Sequence, residues 1–391
     1  MKYLFLLSGD YPGIAREEVL SLINAAKYGS IENLIIADID ENSAIKTAER
    51  LALTKRICRL LFECSISDIE KSMKGFGWDS VYRKSFCIRV HFLDKPYYGA
   101  IKNKIKNKKI QKNERAASES SRMREPASML SLAQPAGSNP LLIFSEKKLA
   151  KYIWRSVKKP KVELENPGTS IQLFIAKNKA YCGLLVHENK EKFESRKSHL
   201  RPFPSPSSLN PKLARALVNL TGIESKEILI DPFCGTGGFL IEAGLMGIKT
   251  TGYDINKIMA EGCKNNIAYF KIKNCSLKTK NALGLTDKFN CLVTDLPYGL
   301  NSNVVSEYHK DNWKLGRINK KVQKKGFTKD LEEFYLQFLK SLRKKLRKKA
   351  VIIFPNYVDY RNLLKKSKFK IENEFSNYVH GSLTRKIVKI S

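Results

Sequence analysis

Apolar positions in the first hundred residues alternate between the short period of strands and the wider period of helices. The strands that this pattern predicts are residues 3–7, 34–39 and 86–92, and the predicted helices are 14–26 and 44–53. In the first of these helices, the expected buried face consists of Val19, Leu20, Leu22 and Ile23. After residue 140 we expect a helix at 149–157, a strand-like segment at 161–164 and a strand pair at 171–176 and 181–186. The first half of the chain is therefore predicted to be an α+β region.

From residue 210 onward, strand and helix patterns alternate regularly. The predicted strands are residues 227–231, 249–254, 276–279, 291–295 and 350–355, and a helix is predicted at 211–220. A long helix before the last strand has one apolar face, formed by Leu331, Phe334, Tyr335, Phe338, Leu339, Leu342 and Leu346. Such alternation predicts a doubly wound, mostly parallel α/β sheet, and a hairpin at 369–379 and 383–390 would add an antiparallel strand.

Two stretches of unusual composition divide the chain. Residues 113–140 are rich in Ala, Ser and Pro and contain no lysine, which indicates a loop insertion. Prolines at 202, 204 and 206 mark a connector between the halves. We therefore predict an N-terminal region at 1–195, a linker at 196–209 and a second domain at 210–391.

The net charge of the chain indicates what kind of partner the protein binds. The 391 residues include 71 Lys and Arg against 38 Asp and Glu, a formal net charge of +33. Such an excess favours a polyanionic partner, and nucleic acid is the commonest one. A lysine-rich organism whose whole proteome is basic is the alternative. The basic segments 102–112 and 314–329 are the candidate phosphate contacts, whereas a solvated helix face is the better explanation of the basic run 343–349.

Composition also argues against other classes of protein. No apolar run reaches the ~18–20 residues that span a bilayer, so no membrane contact is expected. The eight cysteines form no C-x-x-C pair and the five histidines are scattered, so we expect no metal site. Reduced cysteines of this kind are typical of a cytoplasmic protein.

A glycine-rich turn follows the strand 227–231, with the sequence Asp-Pro-Phe-Cys-Gly-Thr-Gly-Gly at 231–238. Glycines there let the backbone approach a ligand at the carboxyl edge of the sheet. An NAD-binding turn would carry a third glycine where Leu240 stands. A carboxylate at the strand end disfavours a phosphate and favours an ammonium group, which indicates S-adenosylmethionine. An ordinary βα turn is the alternative. The expected cofactor contacts in this turn are Asp231, Pro232, Cys234, Gly235 and Gly237.

Two further polar residues follow the next two strands. Asp254 ends the strand 249–254, about twenty residues after the turn, where a carboxylate can accept hydrogen bonds from both ribose hydroxyls. Asn281 follows the strand 276–279 and is expected to meet the adenine edge. An unremarkable polar loop residue is the alternative for Asn281.

The motif Asp-Leu-Pro-Tyr at residues 295–298 ends the fourth strand of this half. An exocyclic amino group has a lone pair delocalised into its ring, so its methylation requires acceptors for both N–H bonds. We expect the Asp295 carboxylate and the Leu296 carbonyl to be these acceptors, and Asp295 to take the released proton. Pro297 stiffens the turn and Tyr298 offers a ring for stacking. Asp295 is also counted among the cofactor contacts.

These motifs resemble those of a known family. Residues 231–238 are similar to motif I of class I methyltransferases, and 295–299 to the D/N-P-P-Y motif of amino-methyltransferases, with Leu296 replacing the first proline. The segments 201–220 and 380–385 also resemble the archaeal tRNA guanosine(10)-N2-methyltransferase family, and 161–167 with the following strands resembles a THUMP RNA-binding domain. The likeness implies a seven-stranded class I methyltransferase sheet behind an RNA-binding region.

The resemblance also implies an activity and a partner. The expected reaction is methylation, once or twice, of a guanosine N2 in tRNA, with contacts to the acceptor end and the D-stem region. Alternatives within the class are guanosine 6 of tRNA or a ribosomal RNA guanine; DNA is disfavoured. A non-catalytic RNA-binding protein is the alternative of another class. A monomer and a homodimer are both compatible with the sequence.

Overall fold

The computed structural model describes residues 1–23, 25, 27–94, 145–298, 324–381 and 383–391, with the backbone alone at 324–328. The predicted insertion, the basic segment 102–112, most of 314–329 and Gly299 therefore lie outside the described residues. None of the helices within the described ranges combines the length and the apolar character needed to cross a membrane.

The helices and strands of the described residues are numbered here in chain order. The strands are β1 (Lys2–Leu7), β2 (Tyr28–Ile31), β3 (Leu34–Asp38), β4 (Thr54–Ser65), β5 (Phe86–Phe92), β6 (Thr169–Ala176), β7 (Lys179–Glu188), β8 (Ile228–Asp231), β9 (Lys249–Asp254), β10 (Cys275–Thr279), β11 (Cys291–Asp295), β12 (Ala350–Pro355), β13 (Ile371–His380) and β14 (Leu383–Ile390). The helices are α1 (Pro12–Leu22), α2 (Glu41–Ala48), α3 (Ile69–Gly75), α4 (Glu146–Ser156), α5 (Pro211–Leu220), α6 (Gly238–Leu245), α7 (Lys257–Tyr269), α8 (Lys324–Lys345) and α9 (Tyr360–Lys366).

Contacts divide the chain into two compact units. Unit 1 comprises Met1–Leu6, Ala26–Glu41 and Arg56–Glu188, and unit 2 comprises Leu7–Ala25, Asn42–Lys55 and Asn189–Ser391. The segments carrying α1 and most of α2 are thus grouped with the C-terminal half of the chain. The domain boundaries proposed from the sequence stay a prediction, because contact density alone does not define a domain that folds independently.

Unit 1 is built on one sheet with the strand order β2-β3-β1-β4-β7-β6-β5. β5 and β6 are parallel, and β7 is antiparallel to both β6 and β4. Helices α3 and α4 cover this sheet through an apolar core that includes Trp78, Phe86, Leu149 and Ile153. The expected strand at 161–164 is wrong, because only Val162 forms a bridge, to Phe86. The longest strand of the unit, β4, was not predicted from the sequence.

Unit 2 contains a sheet with the order β10-β9-β8-β11-β12-β14-β13. The first five strands are parallel, and the terminal hairpin β13–β14 pairs antiparallel with β12 through β14. This arrangement confirms the predicted doubly wound, mostly parallel seven-stranded sheet. It also places the carboxyl ends of β9, β8 and β11 side by side along one edge.

The apolar face predicted for α8 forms much of the core of unit 2. Leu331, Tyr335, Phe338, Leu339 and Leu342 are at most 4% exposed and pack in one cluster with the strands of the sheet. Burial of each such side chain stabilises the fold by about 1.5–3 kcal/mol. The length of this face explains why a helix that ends in three basic residues nevertheless stays docked on the sheet.

The buried face of α1 differs from the expectation. Val19 and Ile23 are buried as expected, but Leu20 and Leu22 are only half-buried. A carboxylate, Glu18, is fully buried on this helix as well. The expected buried face did not include it, because a charged residue breaks the apolar pattern.

Glu18 is held by a buried polar network within unit 2. Its carboxylate accepts hydrogen bonds at 2.8 Å from the backbone N–H groups of Ala52 and Leu53 and from Asn219 Nδ2. Asn219 Oδ1 in turn accepts from Arg50 Nη2 at 3.2 Å. Burial raises the pKa of Glu18 despite these donors. The network joins α1 to α5, and its cost of desolvation is offset only if every partner is present.

We expect Asn219→Ala to lower the free energy of unfolding by about 1–3 kcal/mol, because it removes one hydrogen-bond partner from the buried Glu18 carboxylate and one from the half-buried Arg50 guanidinium. Urea unfolding of the full chain, followed by circular dichroism, measures the change. Asn362→Ala, at an exposed position of α9, is the matched control and should alter stability by less than about 0.5 kcal/mol. Equal stability of the two variants would contradict the role given to the network.

Candidate functional site

Three carboxylates meet at one edge of the sheet in unit 2. Asp231, Asp254 and Asp295 are the last residues of β8, β9 and β11, which are adjacent in the sheet. Thr294 Oγ1 donates to Asp231 Oδ1 at 2.8 Å and so links two of these strand ends. The carboxyl edge of a parallel sheet is the usual ligand site in such folds, and the structure brings the three predicted acids together there.

The glycine-rich turn after β8 is shaped by the absence of side chains. Gly235 and Gly237 have φ angles of +48° and +86°, which favour glycine. A Cβ on Gly237 would lie 2.7 Å from Cys263 Sγ, so no larger residue fits. Pro232 and Cys234 are buried, and Cys234 N–H donates to the Tyr253 carbonyl at 2.9 Å. The turn therefore presents backbone, rather than side chains, at the edge of the sheet.

Asp254 fixes the turn from the neighbouring strand. Its Oδ2 accepts from Gly235 N–H and its Oδ1 from Asn256 N–H, both at 2.8 Å. A carboxylate has about four acceptor sites, so each oxygen retains one for a ligand. Burial raises the pKa of Asp254. Asp254 can thus support the turn and accept hydrogen bonds from a diol together.

Asn281 lies after β10, the outermost strand of this edge. Its Oδ1 accepts from Leu283 N–H at 2.9 Å and caps the short 3-10 turn Ala282–Gly284. In the part of the chain that is described, its amide nitrogen has no partner. The structure therefore leaves Asn281 with donors, rather than its oxygen, for a ligand.

Burial of the Asp231 carboxylate is electrostatically unfavourable in this structure. The residue is 1% exposed, and burial raises its pKa to about 7 although Thr294 and the Phe233 N–H bond to it. Among the described residues, no basic nitrogen lies within 4.0 Å of this carboxylate. The same part of the chain holds no group of three or more His, Cys, Asp or Glu suited to a metal ion. A positively charged ligand would therefore compensate Asp231.

Asp295 shares its carboxylate between two neighbours. The Tyr298 hydroxyl donates to Oδ1, and Arg385 Nη2 forms an ion pair with Oδ2 at 3.4 Å. Arg385 Nε also donates to the Tyr298 hydroxyl oxygen at 3.0 Å. Burial raises the pKa of Asp295 to about 6, and Arg385 opposes that rise. The carboxylate is therefore ionised at neutral pH.

Two tyrosine hydroxyls hold the backbone after Asp295. Tyr335 donates to the Pro297 carbonyl at 2.7 Å, and Tyr357 donates to the Tyr298 carbonyl at 2.6 Å. The Leu296 side chain is 1% exposed, so only its backbone can serve a ligand. No donor among the described residues bonds to the Leu296 carbonyl. One carbonyl of the turn is thus available while the next two are fixed.

The segment 196–209, expected to be a linker, contacts the site within unit 2. Ser208 Oγ is 2.9 Å from Thr236 Oγ1 in the glycine-rich turn. Asn266 of α7 accepts from Phe203 N–H at 2.9 Å and donates to the Thr236 carbonyl at 3.0 Å. Farther along, Arg385 Nη2 donates to the Ser207 carbonyl at 3.2 Å. This segment therefore connects the glycine-rich turn to Arg385.

Sequence reasoning missed Arg385, Tyr335 and Tyr357 as parts of the site. Arg385 was noted only within a C-terminal motif, and Tyr335 only as part of an apolar helix face. Their hydroxyl and guanidinium groups reach the turn because β14 pairs with β12 and α8 packs on the sheet. The one feature of the sequence that indicates such a residue is weak: Arg385 is a basic residue beside the end of a buried strand.

We expect Asp231→Asn to stabilise the ligand-free protein at neutral pH. The raised pKa means that the unfolded state loses its proton near pH 4 whereas the folded state keeps it until about pH 7, so wild-type stability falls across that window. An asparagine avoids this loss and keeps an oxygen for the bonds from Thr294 and Phe233. The gain in melting temperature should be small at pH 4 and level off above pH 7.

The matched control for this substitution is Asp79→Asn, at an exposed position. Its melting temperature should follow that of the wild type at every pH. A gain for Asp231→Asn that did not depend on pH would contradict the electrostatic cost assigned to Asp231.

Comparison with known proteins identifies the family. The profile "UPF0020: RMKL-like, methyltransferase domain" matches residues 198–315, which include the glycine-rich turn and Asp295. The tRNA (guanine(10)-N2)-dimethyltransferase of Methanothermobacter thermautotrophicus is 27% identical over 399 residues, covering 99% of this chain and 98% of the relative. The enzyme of the same name from Pyrococcus abyssi is 35% identical and covers 58% of this chain and 62% of the relative.

A third relative has a higher identity over a shorter alignment. The probable tRNA (guanine(10)-N2)-dimethyltransferase of Methanothermococcus thermolithotrophicus is 38% identical over 120 residues, which cover 28% of this chain and 74% of the relative. These likenesses agree with the resemblance found in the motifs, and with the sheet and the acidic edge described above. The chain therefore belongs to the tRNA (guanine(10)-N2)-methyltransferase family.

Proposed function

We propose that this protein transfers a methyl group from S-adenosylmethionine to the exocyclic N2 of guanosine 10 in tRNA. The observation that carries this proposal is the turn 295–298, where an ionised carboxylate adjoins the Leu296 carbonyl, which accepts no hydrogen bond from the described residues. An exocyclic amine has two N–H bonds, and this turn offers two acceptors for them. A relative that matches 99% of the chain, and a second that matches 58% of it, are both named for methylation of this guanine N2.

The acidic edge fits the cofactor. When bound, S-adenosylmethionine supplies an electrophilic methyl group on a sulfonium and carries a cationic amino acid end. Asp231 is buried and has no ion-pair partner in the described part of the chain, so a positive charge beside it would lower its pKa. Asp254 has acceptor sites left for ribose hydroxyls, and the amide nitrogen of Asn281 suits an acceptor on adenine. Pro232, Cys234, Gly235 and Gly237 would contact the cofactor through their backbone.

The turn 295–298 would orient the amine. Asp295 Oδ1 and the Leu296 carbonyl would accept the two N–H bonds, which directs the nitrogen lone pair toward the methyl group. The Tyr298 hydroxyl donates to Oδ1 in this structure, and the second acceptor site of that oxygen would receive the amine. The Tyr298 ring would be available to stack on the base that carries the amine. Pro297 would keep the turn in the required conformation.

Asp295 would also take the proton that the amine loses. The N–C bond would form as the bond between the methyl carbon and the sulfonium sulfur breaks, with its electron pair left on sulfur. One N–H bond of the amine would then break, and its proton would pass to Oδ1, from which water removes it. A carboxylate with a pKa of about 6 is a competent acceptor at neutral pH and releases the proton readily. Arg385 would hold Oδ2 throughout, and the ion pair keeps the carboxylate oriented.

The proposal includes a division of labour between the two parts of the chain. Unit 1 would hold the acceptor end of tRNA, and the D-stem region would lie toward the catalytic edge, without a role for DNA. A relative named tRNA (guanine(6)-N2)-methyltransferase, from Methanocaldococcus jannaschii, is 24% identical over 274 residues and makes position 6 the second candidate. Mass-spectrometric mapping of a methylated tRNA transcript distinguishes the two positions. A product methylated on ribose, a ring nitrogen or uracil C5 would overturn the proposal.

We expect Asp295→Ala to reduce the rate of methyl transfer by about 10²–10⁴-fold, because it removes both an acceptor and the base. Calorimetry should give cofactor affinity, and filter binding should give tRNA affinity, within about threefold of wild type. Retained activity with normal binding would exclude Asp295 from the reaction.

We expect Tyr335→Phe to lower kcat about tenfold while KM for the cofactor is unchanged. The substitution releases the Pro297 carbonyl and lets the turn shift, and small displacements of reacting groups slow chemistry strongly. Tyr360→Phe is the matched control, since that hydroxyl donates to Glu374 instead. Similar rates for the two variants would show that Tyr335 is only a packing residue.

A further inference from the structure

Helix α4 of unit 1 exposes a basic face around a tryptophan. Lys147, Lys151, Trp154 and Arg155 lie within about one third of the helix circumference, opposite the buried Leu149 and Ile153. Trp154 is 49% exposed, whereas Trp78 in the core of the same unit is 1% exposed. We call these four residues the α4 face. A large aromatic ring left in water amid cations is an unusual combination.

The carboxylates near α4 are already paired with residues outside this face. Glu146 accepts from Arg89 Nη1 at 3.2 Å, and Glu70 pairs with Lys148 and accepts from the Tyr152 hydroxyl at 3.0 Å. Within the described ranges, no cation of the α4 face lies within 4.0 Å of a carboxylate. The face is therefore an uncompensated positive surface.

A second basic cluster follows the end of α4. The Tyr82 hydroxyl lies 2.8 Å from the Lys84 carbonyl and 3.1 Å from both the Lys159 carbonyl and Lys161 N. Lys84 and Lys159 have φ angles of +57° and +50°, which lysine rarely adopts. We define the Tyr82 junction by its exposed cations, which are Arg83, Lys84, Lys158, Lys159 and Lys161. One hydroxyl thus fixes two loops so that their basic side chains share one region.

We propose that the α4 face and the Tyr82 junction together bind RNA, with Trp154 stacked on an unpaired base and the cations on the flanking phosphates. Lysine and arginine along a nucleic-acid backbone supply affinity, and an aromatic ring supplies a platform for any unstacked base. A paired duplex would satisfy the cations but leave the ring unused, so the structure favours a single-stranded segment. The proposal rests on the proposed function only in taking tRNA as the RNA.

A solvated basic helix is the competing explanation of these lysines. It accounts for the charges, but it gives no reason for the exposed Trp154. It also predicts that charge removed anywhere on the surface has the same small effect on RNA binding. This difference makes the two explanations separable by experiment.

The test measures binding of an unmodified tRNA transcript to the full chain between 50 and 200 mM salt. Trp154→Ala should weaken binding about tenfold or more with little change in salt dependence, and Trp154→Phe should restore most of the loss because it keeps a ring. The double variant Lys151→Ala, Lys158→Ala should reduce the slope of log affinity against log salt by about 1.4, as for two lost phosphate contacts to a single strand.

Lys365→Ala with Lys366→Ala removes the same charge from the exposed end of α9 and is the matched control. Its salt slope should equal that of the wild type. The proposal is overturned if Trp154→Ala binds like the wild type, or if the α9 double variant lowers the slope as much as the α4 pair.

Methylation of the same transcript keeps the two proposals apart. If the wild-type protein methylates guanosine 10 and Trp154→Ala binds the transcript normally, the proposed RNA-binding surface is overturned and the proposed activity is supported. Weakened binding by Trp154→Ala, with no methylation by the wild type, supports the surface and overturns the function. A wild-type protein that does not bind the transcript overturns both.

Discussion

The parallel pairing of β9, β8 and β11 is the constraint on which the site depends. Each strand ends in an aspartate, so the pairing forces three carboxylates to the same edge of the sheet, where burial raises the pKa of each. The three carboxylates then differ in the groups that bond to them. Asp254 is occupied by two backbone N–H groups, Asp295 by Arg385 and Tyr298, and Asp231 by no cation among the described residues. An edge of this kind is electrostatically incomplete without a positively charged ligand.

The regular strands of unit 2 could be predicted from the sequence because they are short and apolar and end in polar residues. β9, β11 and β12 begin and end at the predicted positions. β4 could not be found, since two register shifts interrupt its alternation of inward and outward side chains. The burial of Glu18 could not be predicted, because a charged side chain is rarely buried and its partners in other segments cannot be identified from one sequence.

The residues of the candidate site also differ in whether they could be predicted from the sequence. Asp231, Asp254 and Asp295 could be located from local sequence because each directly follows an apolar strand. The tyrosines and Arg385 reach the turn from α8, from the loop after β12 and from the terminal hairpin, and such contacts exist only after folding. These tyrosines also affect the rigidity of the turn at Leu296, the position at which related motifs have a proline. Hydroxyl groups of Tyr335 and Tyr357 hold the following carbonyls and so replace part of the stiffness that a proline ring would provide.

The grouping of α1 with the C-terminal half has a consequence for how the protein is made. Lys389 Nζ is 2.7 Å from Glu17 Oε1, and the lysine side chain is 5% exposed, so α1 meets a strand whose lysine lies 372 positions later in the sequence. The Glu18 carboxylate finds its partners earlier, because the most distant of them is Asn219. During synthesis α1 can therefore pack on α5 long before β14 exists. A product that stops before β14 would lack both the Lys389–Glu17 ion pair and the strand that brings Arg385 to the catalytic edge.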